Sequence, residues 1–210
     1  MTKENPKPIG TQARAIATRK RLLDATVKSL VDNGYSNTTT QAVCKSINIS
    51  RGTLLHHFST HDELIISSVE HVLEMNMRSF QEVLCNVSNK SMSLEELARL
   101  LWDVWCEDGF YAWLELVVAS RTKPALNIKV VEMNNRWKEN FANAFRIIFE
   151  RDPDGLFWIF FLVLNALGLE KIRSSPSEVT ETIEDVLAVV SLVDRFFVKF
   201  ENRKLNVVKL

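Results

Sequence analysis

The sequence predicts an all-helical protein, and three observations carry the prediction. Only six glycines and five prolines punctuate 210 residues, whereas a sheet protein needs turn chemistry about every 8 to 12 residues. Apolar residues, 46% of the chain, recur at spacings of three and four, the period of a helix that buries one face. Charged residues make up 25%, enough to solvate that many helices and too few for a disordered chain.

The elements follow in order. Residues 1–12 open Met-Thr-Lys-Glu-Asn-Pro-Lys-Pro, polar and broken by proline, and are expected to form a loose arm rather than a signal peptide or membrane anchor. From Thr11 to Asn33, Ile16, Leu23, Val27, Leu30 and Val31 form an apolar stripe ringed by Arg14, Arg19, Lys20, Arg21 and Lys28, and Gly34 reads as the helix stop. Thr39 or Thr40 caps a short helix carrying Val43, Cys44 and Ile47, and Asn48-Ile49 makes a tight turn. Ser50 caps a third helix, Arg51 to Phe58, that turns Leu54, Leu55 and Phe58 inward and keeps a polar outer face. Ser59 or Thr60 caps a long helix from His61 to about Val87.

Beyond it, Ser93 and Glu96 make a capping box for a helix expected to end near Asp108-Gly109, and another runs from Phe110 to about Arg121. Pro124 opens a long helix striped by Leu126, Val130, Met133, Trp137, Phe141, Ala144 and Ile148, which Asp152-Pro153-Asp154-Gly155 breaks. A nearly all-apolar helix follows to about Ile172. Its longest run, Leu156 to Leu169 with only Asn165 interrupting, falls short of the roughly 20 residues a bilayer requires and reads as buried. Ser175-Pro176 with Glu178 starts the last helix, for nine in all.

That last helix spaces Val179, Ile183, Val186, Val190, Val193, Phe197 and Phe200 alternately four and three apart, an a/d seam. Val189, Leu192 and Phe196 add apolar surface away from the seam, more than one core-facing stripe needs. With Leu156, Ile159 and Val163 of the preceding helix the seam reads as a subunit interface. The alternative is a helix buried in its own core.

Equal numbers of basic and acidic residues, 26 each, hide an asymmetry. Residues 1–60 hold nine of the basic and three of the acidic ones, net +6, so the remainder carries −6. A small basic head on an acidic body suits a polyanion at one end only and excludes a uniformly basic nucleic-acid coat. Cys44, Cys85 and Cys106 are odd in number and lack the spacing of a zinc site or disulfide framework, so a reducing cytoplasm is the expected setting. No Ser/His/Asp order, phosphate loop or His/Glu metal motif supports catalysis or a cofactor.

Two short helices joined by a tight turn, the second apolar inside and polar outside, describe a helix-turn-helix with its recognition helix. Arg51 is the candidate base reader, because a guanidinium can take guanine O6 and N7 together; a phosphate clamp is the alternative. Gly52 either admits a close approach to the DNA backbone or relieves packing between helices. His57 and His61 are four apart, but Ser59-Thr60 begins a new helix between them, which argues against a shared metal.

The residues Gly34-Tyr35-Ser36-Asn37-Thr38-Thr39-Thr40, then Ile49-Ser50-Arg51-Gly52-Thr53-Leu54-Leu55-His56-His57-Phe58 and Asp62-Glu63-Leu64, closely resemble the N-terminal signature of the TetR family of bacterial transcriptional regulators over about residues 14–70. A weaker likeness continues in Trp113 to Thr122. The resemblance implies a dimeric repressor with a helix-turn-helix DNA-binding domain at 13–60 and a helical effector-binding and dimerisation domain at 61–210. Its DNA face would comprise Thr39, Thr40, Gln41, Lys45, Ser50, Arg51, Gly52, Thr53, Leu55, His56, His57 and His61. By the same resemblance Thr39 and Thr40 cap the first helix and touch phosphate, Ser50, Arg51 and Thr53 open the recognition helix, and His56 faces the backbone. Leu55 stands where the family usually has a tyrosine and His61 where a phosphate-binding lysine is common. Operator affinity then rests more on Arg51, Lys45 and the basic first helix.

Aromatic residues concentrate after residue 100, at Trp102, Trp105, Phe110, Trp113, Trp137, Phe141, Trp158 and Phe161. They read either as core or as an apolar pocket for a flat or greasy ligand. Glu115 is the only charge between Phe110 and Ser120, so it is a pocket anion or an exposed group paired with Arg121. Asn165 is a polar pocket group or an interface hydrogen bond. The expected function is a ligand-released, operator-binding homodimer with the helix from His61 as the lever between ligand and DNA. A DNA-binding protein of the same fold without effector, or a helical interaction module, would be the alternatives.

Overall fold

The computed structural model describes residues 9–86, 95–96, 99, 102, 108–149, 155–175, 177–189 and 191–192. Among these there is no strand, and no helix is long and apolar enough to cross a membrane. Four helices open the chain: α1 (Ile9–Asn37), α2 (Thr40–Ser46), α3 (Arg51–His57) and α4 (His61–Asn86). Helices Asp108–Ser120, Pro124–Phe149 and Gly155–Arg173 follow, and residues 177–189 are helical. Two compact units result, one from residues 1–76 with 107–135, the other from 77–106 with 136–210.

In the first unit Leu22, Leu23, Val43, Cys44, Leu54, Phe58 and Leu64 form one buried cluster, flanked by Ala25, Ile47 and Ile49. Leu22, Leu54 and Phe58 lose all contact with water, worth about 1.5–3 kcal/mol each. α1 packs along Asp108–Ser120, whose Phe110, Ala112 and Leu116 are buried. The compact unit that carries the helix-turn-helix therefore extends past residue 60, because α1 needs a second apolar surface beyond α2 and α3. Buried hydroxyls are satisfied locally: Thr26 donates to the Leu22 carbonyl, Ser68 to that of Leu64 and Ser120 to that of Val117.

One glycine meets the sequence expectation and one departs from it. Gly34 stops the first helical run as predicted, with φ 76° and ψ 169°, and a further short helical stretch reaches Asn37. Gly109, read with Asp108 as a helix terminator, sits buried in the first turn of Asp108–Ser120. A Cβ there would come 2.5 Å from Asn76 Nδ2 and 3.3 Å from a Val72 methyl, so the residue is small because α4 passes against it.

In the second unit Phe141, Ala142, Leu167, Val179 and Leu187 are buried, and the Trp137 and Phe141 rings lie 5.4 Å apart. The Arg99 guanidinium grips both Glu184 oxygens at 2.8 Å and lies 3.3 Å from Glu95. Ser175 and Glu178 cap the last helix reciprocally, the Ser175 amide donating to the carboxylate at 2.8 Å and the Glu178 amide reaching the Ser175 hydroxyl at 3.5 Å. Of the predicted seam, Val179 is buried and Val163, Ile183 and Val186 are half-buried, while Leu162, Leu169, Ile172, Val189 and Leu192 face solvent. Val190, Val193 and Phe197, and the side chains of Leu156 and Ile159, lie outside the described residues.

Candidate nucleic-acid interface

Each short helix of the head is capped at its start by a side chain. The Thr39 hydroxyl accepts the Ala42 amide at 3.1 Å, and the Ser50 hydroxyl accepts that of Thr53 at 3.1 Å while lying 2.9 Å from the Thr53 hydroxyl. Helices of seven residues cannot satisfy their terminal amides internally, so these hydroxyls define where α2 and α3 begin. Between them Asn48 adopts φ 53°, a left-handed conformation that asparagine tolerates better than most residues. The Ile49 amide then returns to the Cys44 carbonyl at 3.0 Å. Burial raises the Cys44 thiol pKa above its usual value and keeps the group a small apolar filler.

With Leu54 and Phe58 turned inward, α3 presents Arg51, Gly52, Leu55 and His56 to solvent, and Thr53 and His57 are half-buried. Leu55, predicted to face inward, is 48% exposed. Among the described residues a Cβ at Gly52 would meet only the Ser50 hydroxyl, at 3.7 Å, an ordinary contact that does not require glycine there. On α2, Thr39, Gln41 and Lys45 are exposed and Thr40 is half-buried. Burial, with His56 and Arg19 nearby, lowers the His57 pKa, favouring the neutral ring.

Several basic residues of α1 have work inside the head. Arg21 donates to the Ile47 carbonyl at 2.8 Å, closing the end of α2. Arg19 lies 4.7 Å over the Phe58 ring, and Lys20 and Lys28 pair with Asp24 and Asp32, each at 2.9 Å. At the start of α4 the Thr60 hydroxyl accepts the Glu63 amide, and Glu63 takes the Ser59 amide at 2.7 Å and hydroxyl at 2.6 Å. Those bonds from Ser59 hold the Glu63 carboxyl below its ordinary pKa. His61 Nε2 donates to the Thr38 carbonyl at 2.6 Å, and its ring meets Tyr35 edge-on at 5.7 Å.

Behind the head lies an open cleft of about 570 Å³, lined in part by Tyr35, Thr38, Thr39, Thr40, His61, Glu115 and Lys123. Tyr35 is held at both ends: its amide donates to Glu115 Oε2 at 2.8 Å, and its hydroxyl donates to Asp62 at 2.9 Å while accepting from Lys123 at 2.8 Å. The Glu115 carboxylate is thus engaged by the main chain of Tyr35. Sequence reasoning did not assign roles to Tyr35 or Lys123, and nothing local could have paired residues 80 or more positions apart.

The other aromatic candidates divide between the units. Phe110, buried, and Trp113, half-buried, belong with Glu115 to the first. Trp102, Trp137 and Asn165, half-buried, and Phe141, buried, belong to the second. Trp105 and the Phe161 side chain lie outside the described residues.

The family model for bacterial regulatory proteins of the tetR family matches residues 22–67, from mid-α1 into α4. Over 187 residues the chain is 23% identical to the HTH-type transcriptional regulator CymR of Pseudomonas putida, covering 86% of this chain and 92% of that protein. Among solved structures, a transcriptional regulator from Saccharomonospora viridis in complex with choline superposes with a TM-score of 0.65 at 16% identity, covering 82% of this chain and 96% of that one. The multidrug binding protein EbrR complexed with ethidium gives 0.62 at 21%, with the same coverages.

Proposed function

The chain belongs to the TetR family of bacterial regulatory proteins and is a transcriptional regulator, not an enzyme; on that premise we propose that it is a homodimeric repressor released from its operator by a small, largely apolar or aromatic molecule. The observation that carries the DNA half is the outer face of α3, where Arg51, Gly52, Leu55 and His56 stand exposed on a helix capped at Ser50. In this reading Arg51 takes a guanine edge, Lys45 and Arg14 neutralise phosphate, and Thr39 and Thr40 bond to it. Gly52 admits the DNA backbone, a reading favoured because among the described residues a Cβ there would meet only the Ser50 hydroxyl.

For the dimer, the support is the uncovered apolar surface of the second unit. Leu162, Leu169 and Ile172 are spaced seven and three apart on Gly155–Arg173, and Val189 and Leu192 are three apart on the last helix. These spacings suit a helix face packed on a second copy. Two recognition helices about one DNA turn apart, roughly 34–36 Å, would then read a near-palindrome.

For the effector, the aromatic residues of the second unit, Trp102, Trp137 and Phe141 with the polar Asn165, offer flat apolar walls with a hydrogen-bonding group. The structural neighbours' complexes with ethidium, a flat aromatic cation, and choline favour such walls. A ligand preferring a conformation whose heads fit the operator poorly lowers DNA affinity through that preference alone, typically by about 1–3 kcal/mol.

The test is binding to the duplex upstream of the protein's own gene, titrated against salt beside a scrambled duplex. Strong preference for the former with a steep salt slope is the expected outcome. Equal weak binding to both would favour an architectural protein of the same fold without an operator there, and no binding at low salt would overturn the reading.

A further inference from the structure

We propose that Glu115 is a positioning residue for DNA binding: its carboxylate, carried on the Asp108–Ser120 helix, completes the corner between α1 and α2 and thereby sets where Thr39 stands. The proposal rests on the reading of the chain as an operator-binding regulator and adds to it a residue far from the helix-turn-helix in sequence.

The corner begins at Gly34, whose φ of 76° takes the chain out of helical geometry. The Tyr35 amide finds Glu115 Oε2 at 2.8 Å, which satisfies a partly buried donor at the break in the helix. The approach is close: a Cβ on Gly34 would lie 3.3 Å from the same oxygen. Three residues further on, the Thr38 amide bonds to the carbonyls of Gly34 and Tyr35, each at 3.2 Å, and the Thr38 hydroxyl to that of Gly34 at 2.9 Å. The Thr38 carbonyl accepts from His61, and the next residue is Thr39, the cap of α2. From Glu115 to that cap every step is a hydrogen bond to main chain or a single peptide link.

A second grip comes from the same stretch of chain. Lys123, just past the Asp108–Ser120 helix, holds the Tyr35 hydroxyl, which in turn holds Asp62 in the first turn of α4. One tyrosine is therefore held by its amide from the Asp108–Ser120 helix and by its phenol from the residue three past that helix and from α4. A displacement of the Asp108–Ser120 helix reaches Thr39 through this corner without passing along α4. The packing of that helix on α1 is carried by its buried apolar residues, so removing the carboxylate alters the corner and leaves the core in place.

The experiment compares full-length wild type, Glu115→Ala and Glu115→Gln. It reads binding to the upstream and scrambled duplexes and hydrogen exchange at the Tyr35 amide. Glu115→Ala is expected to weaken binding to the upstream duplex at least tenfold while leaving the scrambled duplex and the salt slope within twofold, and to speed exchange at Tyr35. Glu115→Gln, which keeps an oxygen acceptor of the same shape, restores most of the affinity. Unchanged exchange in the alanine variant, or faster exchange with unchanged upstream binding, overturns the proposal. If that variant is unfolded at the assay temperature, Glu115→Asp decides, since its shorter side chain draws the carboxylate back from the Tyr35 amide: faster exchange at Tyr35 with selective weakening supports the proposal, and unchanged upstream binding overturns it. A wild-type protein with no preference between duplexes removes the functional reading itself, a result seen before any variant is made.

Discussion

α2 and α3 are seven residues each, far below the roughly 12–15 at which an isolated helix becomes even marginal. They exist because Thr39 and Ser50 take their first amides, Arg21 takes a carbonyl at the end of α2, and Leu54 and Phe58 anchor them from beneath. The helices of the second unit solve the same problem by length and greasiness. Gly155–Arg173 has 19 residues, and it and the last helix leave Leu162, Leu169, Val189 and Leu192 facing water. On the proposed reading, a surface that meets DNA is held by specified polar contacts, which fix geometry, whereas one that meets a second copy needs only area and spacing. The head is ordered by named hydrogen bonds, and the second unit leaves apolar side chains in water.

The sharpest way to break that contrast is to remove an anchor. Phe58→Ala should cost about 3–5 kcal/mol, read as a lower urea midpoint by circular dichroism; a loss under about 1 kcal/mol would mean the polar caps hold α3 alone. Next, Leu169→Glu with Leu192→Glu should leave the helical content intact while converting the protein to a monomer in analytical ultracentrifugation. An unaltered sedimentation coefficient would refute the assignment of that face to a second copy.

A subtler change separates fold from function at one residue. Gly52→Ala should raise stability by about 0.5–1 kcal/mol, the ordinary gain for alanine over glycine inside a helix. It should also weaken binding to the upstream duplex about tenfold, about 1.4 kcal/mol. Retained affinity would show that no DNA backbone approaches there. The smallest effect is one of pH. Because Glu63 titrates below its ordinary 4.5 in the fold, its share of stability is complete above that value and is lost as pH falls through the lowered one. Glu63→Gln should flatten that part of the acid melting curve, and an identical acid limb would assign no stability to the α4 start.

What could be read from the sequence divides along the same line as the comparison. Ser50 and the Ser175/Glu178 pair were legible as caps, and Thr39 with Thr40 as its alternative, because a cap and its amide lie within three residues of each other. The family signature was legible because the head's contacts are so specified. Gly34 was legible as a helix stop, but the bond that the next amide makes to a carboxylate 80 positions away was not. Gly109 was ambiguous, since a glycine that ends a helix and one that admits a neighbour are identical in sequence. Glu115 looked like a lone charge in an apolar stretch. No local pattern could name its partner, because the amide it takes is exposed only by a backbone break elsewhere.

The break at Gly34 also bears on the order of events during synthesis. A chain that has emerged only as far as Phe58 already contains every residue of the helix-turn-helix, yet the amide of Tyr35 still has no carboxylate to meet. Its corner closes after residue 115 has left the ribosome, when a contact spanning 80 residues can form. Until then Thr39, the cap of α2, hangs from a corner that lacks one of its hydrogen bonds.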